Sequence, residues 1–121
     1  GLVWGDVSPT NILVDRSGQL MGLLDFEGAL AGDVVLNLGY CFASRYTSEF
    51  YRTIRSAWGA PTSDELCTRI ELYAVLRGMR ITKYAHNRNL PTGQPRMPIE
   101  ELLPGFVVAA SRLREKIRPE N

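Results

Sequence analysis

The chain has 121 residues, 45% hydrophobic and 22% charged, with a formal net charge of +1 at pH 7. That balance describes a water-soluble globular unit with a small core, and it lacks the basic excess that a nucleic-acid binder carries. No apolar run reaches membrane-spanning length and no signal peptide is visible, while Cys41, Cys67 and the single His86 make neither a disulfide framework nor a zinc ligand set.

In chain order, the first readable element is a β-hairpin. Two apolar runs, Asn11-Ile12-Leu13-Val14-Asp15 and Leu20-Met21-Gly22-Leu23-Leu24-Asp25, flank the turn-forming Arg16-Ser17-Gly18-Gln19. An antiparallel ladder centred near Gly18 sets Asn11 opposite or nearly opposite Asp25, with Cβ atoms about 5 Å apart. An amide oxygen and a carboxylate then converge at the open end of the hairpin. Mg²⁺ accepts such a pair, because its sites use few protein ligands and complete the shell with phosphates and water. Asn11 and Asp25 are therefore the expected metal ligands. Asp6 precedes Asn11 on a loop, since Ser8 before Pro9 is biased away from helix and Gly5 permits a tight approach. A carboxylate there, near the metal but not bound to it, can accept the proton of a substrate hydroxyl and hold that oxygen in line with a γ-phosphate.

Beyond the hairpin the pattern turns helical. Val34–Ala43 is apolar nearly all round and reads as a buried helix, and Ser48–Trp58 reads as a second one stopped by Gly59-Ala60-Pro61. Thr62-Ser63-Asp64-Glu65 reads as a capping box opening a long third helix. Leu66, Ile70, Tyr73, Arg77, Ile81 and Tyr84 follow its inner spacing, and Leu72, Val75, Leu76 and Met79 broaden that face. Arg77, Arg80, Lys83 and Arg88 are scattered among other residue types and read as a solvated helix face. Asn87–Met97 reads as a loop, Pro98 with Glu100-Glu101 restarts a helix, and Pro104-Gly105 breaks or kinks it. Phe106, Ala110, Leu113 and Ile117 share one face of the last helix, which ends at Pro119 with Arg112, Arg114, Lys116 and Arg118 near its C-terminus.

Taken together, Gly5-Asp6 with Asn11, then Asp25-Phe26, then Gly32-Asp33, stand in the order and at the intervals of the aminoglycoside phosphotransferase and choline kinase family, which Val3 to Ala43 resembles. The resemblance implies a protein-kinase-like α+β fold, of which this chain would be the C-terminal lobe part only. A catalytic loop and β-hairpin would be followed by a mainly α-helical bundle over residues 1–121, with the N-terminal nucleotide lobe absent. It implies an ATP- and Mg²⁺-dependent phosphotransferase acting on a small-molecule hydroxyl, cytoplasmic, with neither nucleic acid nor membrane as partner. By resemblance Asp6 is the catalytic base, Asn11 and Asp25 hold magnesium and so the nucleotide, and Asp33 supports loop architecture.

Four departures qualify this picture. Trp4 stands where the family usually has His, a mainly architectural position, while Val34 stands where it has Pro and Asn37 where it has Asp before Leu38, and from these two some loss of loop rigidity is expected, not a change of reaction type. No glycine-rich phosphate loop or strand lysine precedes the motif, so the polypeptide alone is expected to show little or no activity. The competing class is a non-catalytic, pseudokinase-like module that binds nucleotide or a partner. A serine hydrolase lacks a suitably placed histidine, and a glycosidase carboxylate pair leaves Asn11 unexplained.

Overall fold

The structure is a computed structural model that describes residues 1–59, 61–87 and 98–118, with side chains described up to residue 83 of the middle segment. Most of the loop expected over Asn87–Met97, the stop at Pro119 and the side chain of Tyr84 lie outside the described residues. The described part is mixed α and β, with two small antiparallel sheets and five helices.

Strand β1, Leu2–Val3, pairs with β4, Leu30–Ala31, through Leu2↔Ala31 and Val3↔Leu30. Strands β2, Ile12–Val14, and β3, Leu20–Leu23, form the expected hairpin, with the register Ile12↔Leu23, Leu13↔Gly22 and Val14↔Leu20 and a bulge between Leu13 and Val14. Asp15 organises the turn: its Oδ1 accepts from the backbone N–H groups of Ser17 at 2.8 Å and Gln19 at 2.9 Å. Gly18 supplies a φ of +85° there, at no steric cost. Pro9–Asn11 forms one 3-10 turn, so Asn11 ends a helical turn rather than opening a strand. The ladder nevertheless extends one step, because Leu24 N–H donates to the Asn11 carbonyl at 2.8 Å.

Behind the hairpin lie α1, Val35–Arg45, α2, Glu49–Ala57, α3, Asp64–Asn87, α4, Ile99–Leu102, and α5, Pro104–Ile117. The all-round apolar pattern of α1 is used as expected: Val35, Leu38, Cys41, Phe42 and Ala43 enter one core with Tyr51 of α2, Leu66, Ile70 and Ala74 of α3, and Ala109 of α5. Phe42 meets the Tyr51 ring edge-on at 5.4 Å between centroids, a favoured aromatic geometry. At the crossing of α1 and α3 the backbones touch, and a Cβ on Gly39 would stand 2.9 Å from the Ile70 carbonyl oxygen. Only glycine fits that approach.

Local signals set most boundaries. Ser48 caps α2 by accepting from Tyr51 N–H at 3.1 Å. The cap of α3 is Ser63, accepting from Leu66 N–H at 3.1 Å, whereas the Thr62 hydroxyl accepts from Arg55 instead. Pro104 breaks the chain into two helices instead of kinking one, as its missing N–H is harmless at a first helical position. Leu72, Leu76 and Met79, expected to widen the inner face of α3, are exposed, as is Ile117. The basic residues of α5 serve α3 more than their own helix end: buried Glu71 is bonded to Lys116 Nζ at 2.9 Å and paired with Arg112 at 3.6 Å.

Candidate active site

The site begins with a glycine. Gly5 has a φ of +91°, and a Cβ there would meet the Gly28 carbonyl oxygen at 3.0 Å, so the loop from β1 can turn sharply only with glycine at this position. The turn presents Asp6, whose side chain remains 48% exposed. Asn11, delivered by the 3-10 turn, donates from Nδ2 to both the carbonyl and Oδ2 of Asp6, each at 3.1 Å. Two consequences follow. The carboxylate is fixed in orientation, and the Asn11 amide is rotated so that its oxygen is the free end.

Asp25 lies at the same end of the hairpin, one residue past the Leu24–Asn11 hydrogen bond. No hydrogen bond joins the Asn11 and Asp25 side chains, and none engages the Asp25 carboxylate among the described residues. Asp25 is the one non-glycine residue among those described with positive φ, at +60°. That left-handed conformation costs an L-residue about 1–2 kcal/mol, less for Asp than for most, and persists where the surroundings enforce it. Trp4 enforces it. Its indole N–H is shared between the carbonyls of Leu24 at 2.9 Å and Asp25 at 3.0 Å, and its ring stacks on Phe26 at 5.6 Å. Trp4 thus packs, as its type suggests, and also clamps Asp25.

The Asn37 position explains how the loop tolerates the loss of a carboxylate. Its Oδ1 accepts from the backbone N–H groups of Trp4 at 2.9 Å and Gly5 at 3.2 Å, an acceptor role that an amide oxygen fills. Asp33 fastens the next segment. Its Oδ2 accepts from Arg69 at 2.6 Å and Tyr73 at 2.7 Å, and its Oδ1 from Val35 N–H at 3.1 Å. The Arg69 hydrogen bond, then that of Tyr73, holds the Asp33 carboxyl down at about 2. This residue ties the entrance of α1 to α3 and lies outside the reacting group, consistent with an architectural role.

Three residues were missed as site neighbours. Arg77 stands with its Nη2 4.0 Å from Asp6 Oδ1 and its guanidinium over the Tyr40 ring at 4.9 Å. Arg80 donates to the Tyr40 hydroxyl at 3.1 Å, and Arg45 to the Ser8 hydroxyl at 3.2 Å. Of the residues read as a solvated face, Arg77 is therefore partly buried, while Arg80 and Lys83 are exposed as expected and Arg88 lies outside the described residues. One signal was present: Arg77 occupies an inner position of α3, between Tyr73 and Ile81, where a charged side chain needs something to reach. Cys41, by contrast, is no nucleophile, because burial pushes its thiol up to about 11.

The donor set fits a hard divalent cation. Asn11 Oδ1 and the Asp25 carboxylate are an amide oxygen and an unengaged anionic pair of oxygens, the few protein ligands that Mg²⁺ takes when phosphates complete its shell. No group of three or more His, Cys, Asp or Glu among the described residues is placed to hold a metal ion. Among them, too, no helix is long and apolar enough to cross a membrane.

No curated protein and no solved structure matches the chain. The model of the family described as Phosphotransferase enzyme family matches residues 1–78, which runs from β1 through the loop, the hairpin and α1 into α3. A match over more than half of the chain, spanning Asp6, Asn11, Asp25 and Arg77, makes this protein a member of the phosphotransferase enzyme family.

Proposed function

We propose that the protein is, or forms part of, an ATP-dependent kinase of small molecules, transferring the γ-phosphate to a substrate hydroxyl. Its described residues would make up the C-terminal, hairpin-and-helix portion of a protein-kinase-like fold. The observation that carries this reading is the junction of Asp6 and Asn11, whose amide nitrogen donates at 3.1 Å to both the backbone carbonyl and the carboxylate of Asp6, at the hairpin end that also carries Asp25.

The roles follow from the bonds each side chain has left. Asp6 keeps a half-exposed carboxylate whose orientation is set by Asn11, so it can accept the proton of an incoming hydroxyl and fix that oxygen for attack. Asn11 and Asp25 would hold the metal. Mg²⁺, when bound, would neutralise the phosphate charge of ATP and align it. Trp4 and Asn37 keep the two flanks of the site from drifting, which matters because positioning and electrostatics carry most of the rate in phosphoryl transfer.

The test is transfer of labelled γ-phosphate from ATP, in the natural gene product that carries this chain, across sugars, amino alcohols, hydroxy acids and aminoglycosides. Asp6→Asn should lower turnover by about a hundredfold or more, the usual weight of general-base catalysis, with nucleotide binding retained. Near-normal turnover in that variant would rule out the role of Asp6. Nucleotide binding with no transfer to any acceptor would replace the kinase with a binding module.

A further inference from the structure

Asp6 does not stand alone at its end of the molecule. It lines a cavity of about 70 Å³ together with Ser8, Tyr40, Ser44, Arg45 and Arg77. Among the described residues Asp6 is the only acid on that wall, which also carries two arginines. Arg77 holds its guanidinium over the Tyr40 ring, 4.9 Å from the centroid, and Tyr40 is itself pinned through its hydroxyl by Arg80. At 4.0 Å the Arg77–Asp6 approach is an ion pair without a hydrogen bond, and among the described residues Arg77 makes no hydrogen bond at all. Its side chain is nevertheless only 29% exposed. A charge so shielded, with its donors unspent, is an incomplete site. Arg45 adds a second cation, of which the Ser8 hydroxyl engages one nitrogen.

We infer that the acceptor is a small anionic hydroxy compound, its hydroxyl presented to Asp6 and its carboxylate or phosphate received by Arg77 with Arg45. The inference rests on the phosphotransferase reading of Asp6 and deepens it. Planar guanidinium donors match both carboxylate and phosphate oxygens, so the shared chemistry is an anionic oxygen group. Two guanidinium groups in a small cavity repel an ammonium, which disfavours a polyamine or quaternary amine as the acceptor. The volume suits one charged group on a short carbon chain.

The experiment titrates glycerate, glycerol 3-phosphate, glycerol and choline into the protein and follows the backbone amides of Gly5, Ser8 and Ser44 by NMR, for the wild type, Arg77→Gln and Arg77→Lys. The anions should shift these amides, glycerate and glycerol 3-phosphate distinguishing carboxylate from phosphate. Arg77→Gln should weaken the anion about tenfold or more, the weight of one hydrogen bond to a charged group. Arg77→Lys should restore part of the loss, and Arg77→Gln should leave the thermal midpoint near that of Arg77→Lys. Glycerol or choline shifting the same amides as strongly, no anion shifting them, or anion affinity unchanged in Arg77→Gln would each overturn the inference. The γ-phosphate transfer assay separates the two readings. Asp6-dependent transfer that favours choline or an aminoglycoside over the hydroxy acids sinks the anionic acceptor and leaves the kinase standing. Anion binding without Asp6-dependent transfer to any acceptor sinks the kinase, and with it the acceptor.

Discussion

Asn37 shows how one side-chain oxygen can hold a whole loop. It accepts from two consecutive backbone N–H groups, of Trp4 and of the buried Gly5, and nothing else in the described structure accepts from either donor. Asn37→Ala should therefore cost about 2 kcal/mol in urea unfolding, the penalty of leaving buried donors unmet. Asn37→Asp, which keeps the acceptor, should cost far less. Asp33 makes a pH prediction of definite sign. Its carboxyl is lowered from 3.8 to about 2 by Arg69 and Tyr73, so the folded state binds its proton less readily than the unfolded chain. The associated stability is present above about pH 4 and is lost as the pH falls through 2, and because the pair is partly exposed it amounts to about 1 kcal/mol. Asp33→Asn should flatten that acid limb of the stability profile. NMR titration of the Asp33 carboxyl checks the midpoint directly.

The candidate site residues were legible because their motif blocks stand in register. Asp6, Asn11 and Asp25 could be placed from a hairpin alone, and the structure brings Asp6 and Asn11 into contact and Asp25 to the same hairpin end. Their roles were not legible in the same way. Trp4 reads as a packing residue from its type, and the hydrogen bond that clamps Asp25 depends on strand geometry distant in sequence. Arg77 shows the opposite failure. Composition placed it on a wet face, while its helical phase pointed inward, and the phase was the better guide because burial along a helix follows period before it follows residue type.

At the scale of elements, periodicity located every long helix, and capping chemistry located most of their starts. The short pieces escaped. Strands β1 and β4, two residues each, hold together only through partners about thirty residues apart, and no local pattern announces such a pair. The extra width assigned to α3 failed for a related reason: Leu72, Leu76 and Met79 are apolar but have no described element over them. The crossing of α1 and α3 is a close backbone approach, set by Gly39 against the backbone of Ile70 and Ala74. Gly39→Val should force these helices apart and destabilise the fold by about 3 kcal/mol, at the upper end of overpacking costs, measured as a drop in the urea midpoint with an unchanged slope. Because Asp33 enters α1 and Arg69 and Tyr73 leave α3, the same substitution should also release the Asp33 carboxyl toward its ordinary value.

At the scale of the whole molecule, a small polar site is carried on a loop and a hairpin and braced by helices from behind. The division of labour is economical. Strand β1 and the 3-10 turn deliver Asp6 and Asn11, the hairpin returns Asp25, and α1 and α3 contribute Asn37, Tyr40 and Arg77 from behind. In the proposed site Asn11 and Asp25 share one divalent cation beside Asp6. Mn²⁺ in place of Mg²⁺, added with ATP and followed by paramagnetic broadening of amide signals, tests it most directly. The expected result is early loss of the Asn11 side-chain amide and of the backbone signals of Leu24, Asp25 and Phe26, abolished in Asp25→Ala. Broadening that ignores Asp25→Ala, or that begins at acidic residues away from the hairpin such as Glu49 or Glu100, would contradict it.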